Sequence, residues 1–177
     1  GRSFIRMHHT VEFLHLDPRQ VFVRRMGLRL PLALAGQGLN ATAGGQDGAV
    51  RLPRIRQAGL RQTCHASHEI WGHRGTATSP EIVESNHRSH GWMDLSGRQG
   101  GLAVMLRDMW QEFPKELRAD AADPAVAIEF WPESGPLMDV RRYSNYPHRS
   151  QGETVPEDPV GQVDAAVEPV STEHRPV

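Results

Sequence analysis

The sequence has one cysteine, Cys64, so no internal disulfide framework can staple the fold. It has one lysine, Lys115, and every other basic residue except histidine is arginine. That bias also follows from GC-rich coding, so the positions of individual arginines say more than their number. No apolar run reaches the roughly 18 residues that a spanning helix needs, which excludes a transmembrane helix. Charge of either sign is not in excess: the net value is −1 and the pI is near 6.9. No global field draws the chain to nucleic acid or to a membrane surface. A phosphate-binding glycine loop, a G-x-S-x-G elbow, an H-E-x-x-H pair and a paired C-x-x-C are all absent. Glu69, Glu81 and Glu84 do not make a carboxylate pair for hydrolysis. The start, Gly1-Arg2-Ser3-Phe4, lacks an initiator methionine and a signal-peptide pattern. We expect a fragment of a longer protein or a processed product, and the compartment stays open.

What remains is a polar β pattern. At 177 residues the chain is long enough for one domain with a core. Mean hydropathy is −0.52, so part of it should be tail or long loop. Residues 3–15 alternate, with Ile5, Met7, His9, Val11 and Phe13 on one face, which predicts an antiparallel strand buried on one side. Val21 to Leu34 predicts a neighbouring strand, with Phe22, Met26, Leu28 and Leu30 opposite Arg25 and Arg29. Pro31 argues for an edge position or a bend there. Residues 35–48 read as a flexible loop that carries the triplet Asn40-Ala41-Thr42, a glycosylation signal only if the chain is secreted. Two short strands are expected over 48–60 and 61–71, then a loop over 72–90.

The stretch from Gly91 to Glu153 holds three of the four tryptophans and both tyrosines. Trp92 to Leu95 and Leu102 to Leu106 read as strands around a turn at 96–101, and Asp108 to Leu117 as a short helical turn broken at Pro114. Ala125 to Trp131 and Leu137 to Tyr143 alternate as strands. About eight short strands and almost no amphipathic helix favour an all-β fold, an antiparallel β-sandwich with long loops. The domain is expected over 1–153. Thr154 to Val177 is rich in proline and acid and lacks aromatics, which predicts a disordered tail.

Three spots carry candidate chemistry. Asn86-His87-Arg88 joins an amide, a base and a guanidinium, a set that suits proton abstraction beside a carboxylate; the other reading is a solvated loop. Arg107-Asp108-Met109-Trp110 joins a ring that can stack on a sugar with groups that can bond hydroxyls; the other reading is an apolar plug beside a local ion pair. Arg141 to His148, with Arg142, Tyr143, Tyr146 and His148, reads as an anionic-sugar cleft or as a strand end and turn. Cys64, His65, His68 and His73 have the residue types for zinc, but no ligand motif; we expect no metal and no cofactor.

The segments HHTVEFLHLDPRQVFVRRMGLRLPLAL, GWMDLSGRQGGLAVMLRDMWQEFPKEL and IEFWPESGPLMDVRRYSNYPHRSQGE resemble the central β-sandwich domain of exo-rhamnogalacturonan lyase-like proteins. The resemblance covers about Phe4 to Glu153. It implies eliminative cleavage of the rhamnose–galacturonate linkage of pectin, with the proton next to the uronate carboxylate removed. It implies an acidic polysaccharide or oligosaccharide as partner. His87, Arg88 and Tyr143 become the candidates for catalysis, and Asn86, Arg107, Trp110, Arg142, Tyr146 and His148 those for sugar contact. Such proteins carry a barrel-like domain before the sandwich and an α/α toroid after it. This sequence shows neither, so we expect the chain alone to be inactive. A carbohydrate-binding or scaffolding sandwich without chemistry is the alternative.

Overall fold

The computed structural model describes residues 5–8, 22–34, 38–75, 77 and 79–139. The chain divides into two compact units, Val23–Leu137 and a second made of Gly1–Phe22 with Met138–Val177. Among the described residues there are twelve strands and no helix. In chain order they are β1 (Phe22–Val23), β2 (Met26–Pro31), β3 (Asn40–Gly44), β4 (Ala49–Leu52), β5 (Ile55–Cys64) and β6 (Ser67–Arg74). Then follow β7 (Glu81–Asn86), β8 (Trp92–Gly97), β9 (Gly100–Met105), β10 (Lys115–Asp120), β11 (Ala125–Trp131) and β12 (Met138–Asp139).

Within Val23–Leu137 the strands build an antiparallel sandwich. One sheet has six strands in the order β2-β11-β10-β5-β6-β7, the other four in the order β4-β3-β8-β9. Among the described residues β1 and β12 pair only with each other. Period-two alternation sends one set of side chains between the sheets. Ala58, Leu60, Ile70, Leu117, Ala119, Val126 and Ile128 come from the larger sheet, and Ala41, Ala43, Leu52, Met93, Leu95 and Val104 from the smaller. Phe130 packs against this core, while Glu129 and Trp131 lie on the opposite face of β11. β2 is an edge strand, the first of the two readings that Pro31 allowed.

Four expectations are corrected. Residues 5–8 form no strand, and Ile5 is 88% exposed; the rest of the first alternating segment lies outside the described residues. The glycine-rich segment expected to be a loop contains β3, an inner strand of the smaller sheet. Its side chains are small because neighbours close over it: a Cβ on Gly44 would lie 2.3 Å from the Trp92 indole nitrogen. The expected 72–90 loop contains β7, an edge strand with four polar residues and two half-exposed apolar ones, Ile82 and Val83, so it carries no long hydrophobic run. The helical turn is one turn only, closed by the Gln111 and Glu112 amides donating to the Asp108 carbonyl at 3.1 and 2.9 Å. It ends before Lys115, where β10 begins and pairs on both sides. Of the segment Leu137 to Tyr143, only Met138–Asp139 is described as strand. The tail lies outside the described residues.

Candidate functional site

Three connections meet at one end of the sandwich: the β5–β6 hairpin, the β7–β8 loop and the β9–β10 turn. The β7–β8 loop carries Asn86, His87 and Arg88, and its backbone is fixed by two glutamines. Gln62 points inward from β5 and is fully buried. Its amide nitrogen donates to the carbonyls of Cys64 (2.7 Å), Ser67 (3.2 Å) and His87 (2.9 Å). Its oxygen accepts from the Ser89 amide (3.1 Å) and hydroxyl (2.9 Å). The Gln46 oxygen accepts from the amides of His87 (3.1 Å) and Arg88 (3.4 Å). Backbone held this way leaves the His87 and Arg88 side chains exposed. Asn86 is half-buried, and its oxygen accepts from the His87 amide at 2.9 Å.

The β9–β10 turn presents the second group. Met109 is buried and anchors the turn in the core, which leaves Trp110 half-buried beside it. The Arg88 guanidinium lies over the Trp110 ring, 4.1 Å from its centroid. A stacked guanidinium keeps its N–H edge for an acceptor while its face rests on the indole. Two spots that are separate in the sequence therefore share one surface. Arg107 stands apart from it; it is 93% exposed and paired with Asp108 at 3.1 Å. Arg142, Tyr143, Tyr146 and His148 lie outside the described residues.

The zinc-type residues are not gathered. The His65 ring sits 6.2 Å from Phe113 and the His73 ring 5.9 Å from Trp71. His68 is fully buried, with Nε2 at 2.9 Å from Glu84. Among the described residues no group of three or more His, Cys, Asp or Glu could hold a metal ion.

A site with no single sequence motif occupies the outer face of the six-stranded sheet. A pocket of about 340 Å³ lies there, lined by Arg25, Arg61, Trp71, Glu116, Arg118 and Glu129 with Pro80, Ile82, Glu133 and Ser134. Strand register explains it. Glu69, Arg61, Glu116, Glu129 and Gly27 stand opposite one another across five neighbouring strands. Glu116 and Glu129 are thus directly paired carboxylates, an arrangement that needs flanking cations. Arg25 forks onto Glu129 through Nε (2.9 Å) and Nη2, Arg61 meets Glu69 at 2.5 Å, and Arg118 is 3.7 Å from Glu129. Glu116 accepts from the Trp71 indole (3.2 Å) and the Ser134 hydroxyl (3.3 Å). Burial pushes its carboxyl above the usual range, against the pull of Arg61 and Arg118. Trp71 lies flat over Gly59, where any Cβ would fall 2.3 Å from the indole. Arg61 on β5, Glu116 and Arg118 on β10 and Glu129 on β11 are the trace this site leaves in the sequence, and they read there as ordinary solvated sheet.

Comparison with curated proteins gives no match. Residues 46–157, more than half of the chain and most of the sandwich, match the family model described as PcRGLX-like protein central beta sandwich domain. The chain belongs to that family, and its antiparallel two-sheet architecture is what such a domain requires.

Proposed function

We propose that the chain is the β-sandwich portion of a polysaccharide lyase acting on rhamnogalacturonan by β-elimination next to a uronate. The family match carries this reading. The stacking of Arg88 on Trp110 supports it, because that pair offers a carboxylate-binding edge beside an aromatic ring. In the proposed reaction His87 takes the proton at C5 of the uronate. The electron pair forms the C4–C5 double bond and the C4–O bond breaks. The leaving oxygen ends protonated. Arg88 holds the carboxylate and stabilises the charge that develops on it. Asn86, Arg107 and Trp110 contact sugar. Tyr143 shares the catalytic role, and Arg142, Tyr146 and His148 contact sugar; these four are proposed from the sequence alone. The family is defined by a central domain, so we assign the sandwich a share of the cleft and the flanking domains the remainder.

Titration of the chain with rhamnogalacturonan oligosaccharides tests binding. Saturable binding that weakens about tenfold or more in Arg88→Ala is expected, the loss of one charge-assisted contact. The isolated chain should release no unsaturated, ultraviolet-absorbing product. In a longer relative, His87→Ala should abolish turnover and keep affinity. Unchanged turnover in that variant would remove His87 as the base, and unchanged affinity in Arg88→Ala would remove this surface as the binding edge.

A further inference from the structure

We propose that the outer-face pocket is a second ligand site, built for a small hydroxylated carboxylate such as a sugar acid. The inference does not depend on the lyase reading. It comes from an imbalance between donors and acceptors. Both oxygens of Glu129 accept from Arg25, and both oxygens of Glu116 accept, from Trp71 and Ser134. Each oxygen of both carboxylates therefore already takes one hydrogen bond. The donors are used less fully, although Arg61 gives Nη2 to Glu69 at 2.5 Å. Arg61 Nε is buried without a hydrogen-bond partner among the described residues. Arg118 makes no hydrogen bond there; its one ionic contact, to Glu129, is 3.7 Å long. A guanidinium offers five N–H donors in a rigid fork and no acceptor. Guanidinium N–H groups left over in a half-enclosed pocket suit an acceptor-only group, and a carboxylate is one.

The rest of the lining sets the class of molecule. Trp71, Pro80 and Ile82 supply the apolar part of the lining, and Ile82 is 47% exposed. Ser134 and Glu133 are exposed members of the same lining, and Glu133 holds a 3.7 Å contact with Arg24. Apolar surface in one pocket with a hydroxyl and a carboxylate suits a ring with one C–H face and several hydroxyls. About 340 Å³ falls at the small end of ligand pockets, enough for one such ring and its substituent.

The test is amide and side-chain NMR on the chain with D-galacturonate, D-galactose and acetate as probes. Saturable shifts of the Arg61 Nε–H and Trp71 indole N–H signals are expected with galacturonate, little response to galactose, and weaker binding of acetate. Arg118→Gln, which removes no hydrogen bond of the fold, should keep the thermal midpoint and lower galacturonate affinity about tenfold. Shifts confined to Arg88 and Trp110 would overturn the proposal and leave the end-loop surface as the binding edge. Equal response to galactose would overturn the carboxylate, and equal affinity for acetate the hydroxylated ring. Absence of any saturable shift would overturn the site. None of these outcomes depends on turnover, so failure here and failure of the lyase reading separate cleanly.

Discussion

Gln62 and Glu116 are buried polar side chains on neighbouring strands, facing opposite sides of the same sheet. Gln62 is satisfied at both ends, so its value lies in what it would leave behind. Gln62→Leu strands the His87 carbonyl and both Ser89 donors; we expect a loss of about 1–3 kcal/mol, read by denaturant unfolding. Amide exchange over residues 87–89 should also rise, since that backbone hangs on the glutamine. Glu116 behaves otherwise. Its folded pKa is raised by burial, so the stability it brings is present when it is protonated and falls as pH rises through that value. Glu116→Gln keeps one acceptor oxygen for the Trp71 indole, turns an amide N–H towards the Ser134 hydroxyl, whose oxygen can accept it, and removes the buried charge. The variant should melt above the parent chain near neutral pH, and the gap should close at about pH 4, where the parent carboxyl is protonated. A gap that is constant with pH would contradict this account. Neither role is legible in the local sequence, because Gln62 sits between Arg61 and Thr63 and reads as a solvated position.

At the scale of elements, the β10–β11 hairpin turns on Asp120. Its carboxylate accepts from the Gln57 amide (2.8 Å) and from the backbone amides of Ala122 (2.9 Å) and Asp123 (3.1 Å). Partial burial pushes its pKa up, but these three bonds together with the Arg29 charge outweigh it and the net direction is down. The sign is opposite to that of Glu116: the contribution is present above the ordinary aspartate range and lost as pH falls through the lowered folded value. Asp120→Ala should cost about 1–2 kcal/mol at neutral pH, and less in acid, as measured by melts across pH. β3 gives a second test. Gly44→Val drives a side chain into the Trp92 ring, and we expect a destabilisation of about 1–3 kcal/mol with loss of the tryptophan's packed near-ultraviolet signal. β3 and β7 escaped the alternation test for different reasons. β3 buries only the small side chains of Ala41 and Ala43, which leave no hydrophobic stripe to read, and β7 is an edge whose inward residue, Glu84, meets His68 rather than a hydrophobe.

For the whole molecule, stability rests on the layer between the two sheets. Leu60 and Leu95 are fully buried there, one from each sheet. Leu60→Ala or Leu95→Ala should each cost about 2–5 kcal/mol, with the spread set by how far the cavity closes. Similar costs from both sheets would show one cooperative layer; a near-neutral effect of either would contradict the packing described. The sequence by itself determined the all-β class, the strand over Ala125 to Trp131, the restriction of the strand holding Pro31 to an edge or a bend, and the lack of a disulfide frame. These are local properties: period two, φ of proline and a residue count act within a few positions of the chain. Only the tertiary structure decided which distant residues share a surface. Arg88 finds Trp110 because two connections end at the same rim, and the arginine–glutamate row forms because register aligns single residues from neighbouring strands. Register is fixed by the packing of all ten sandwich strands at once, and no stretch of the chain carries that information alone.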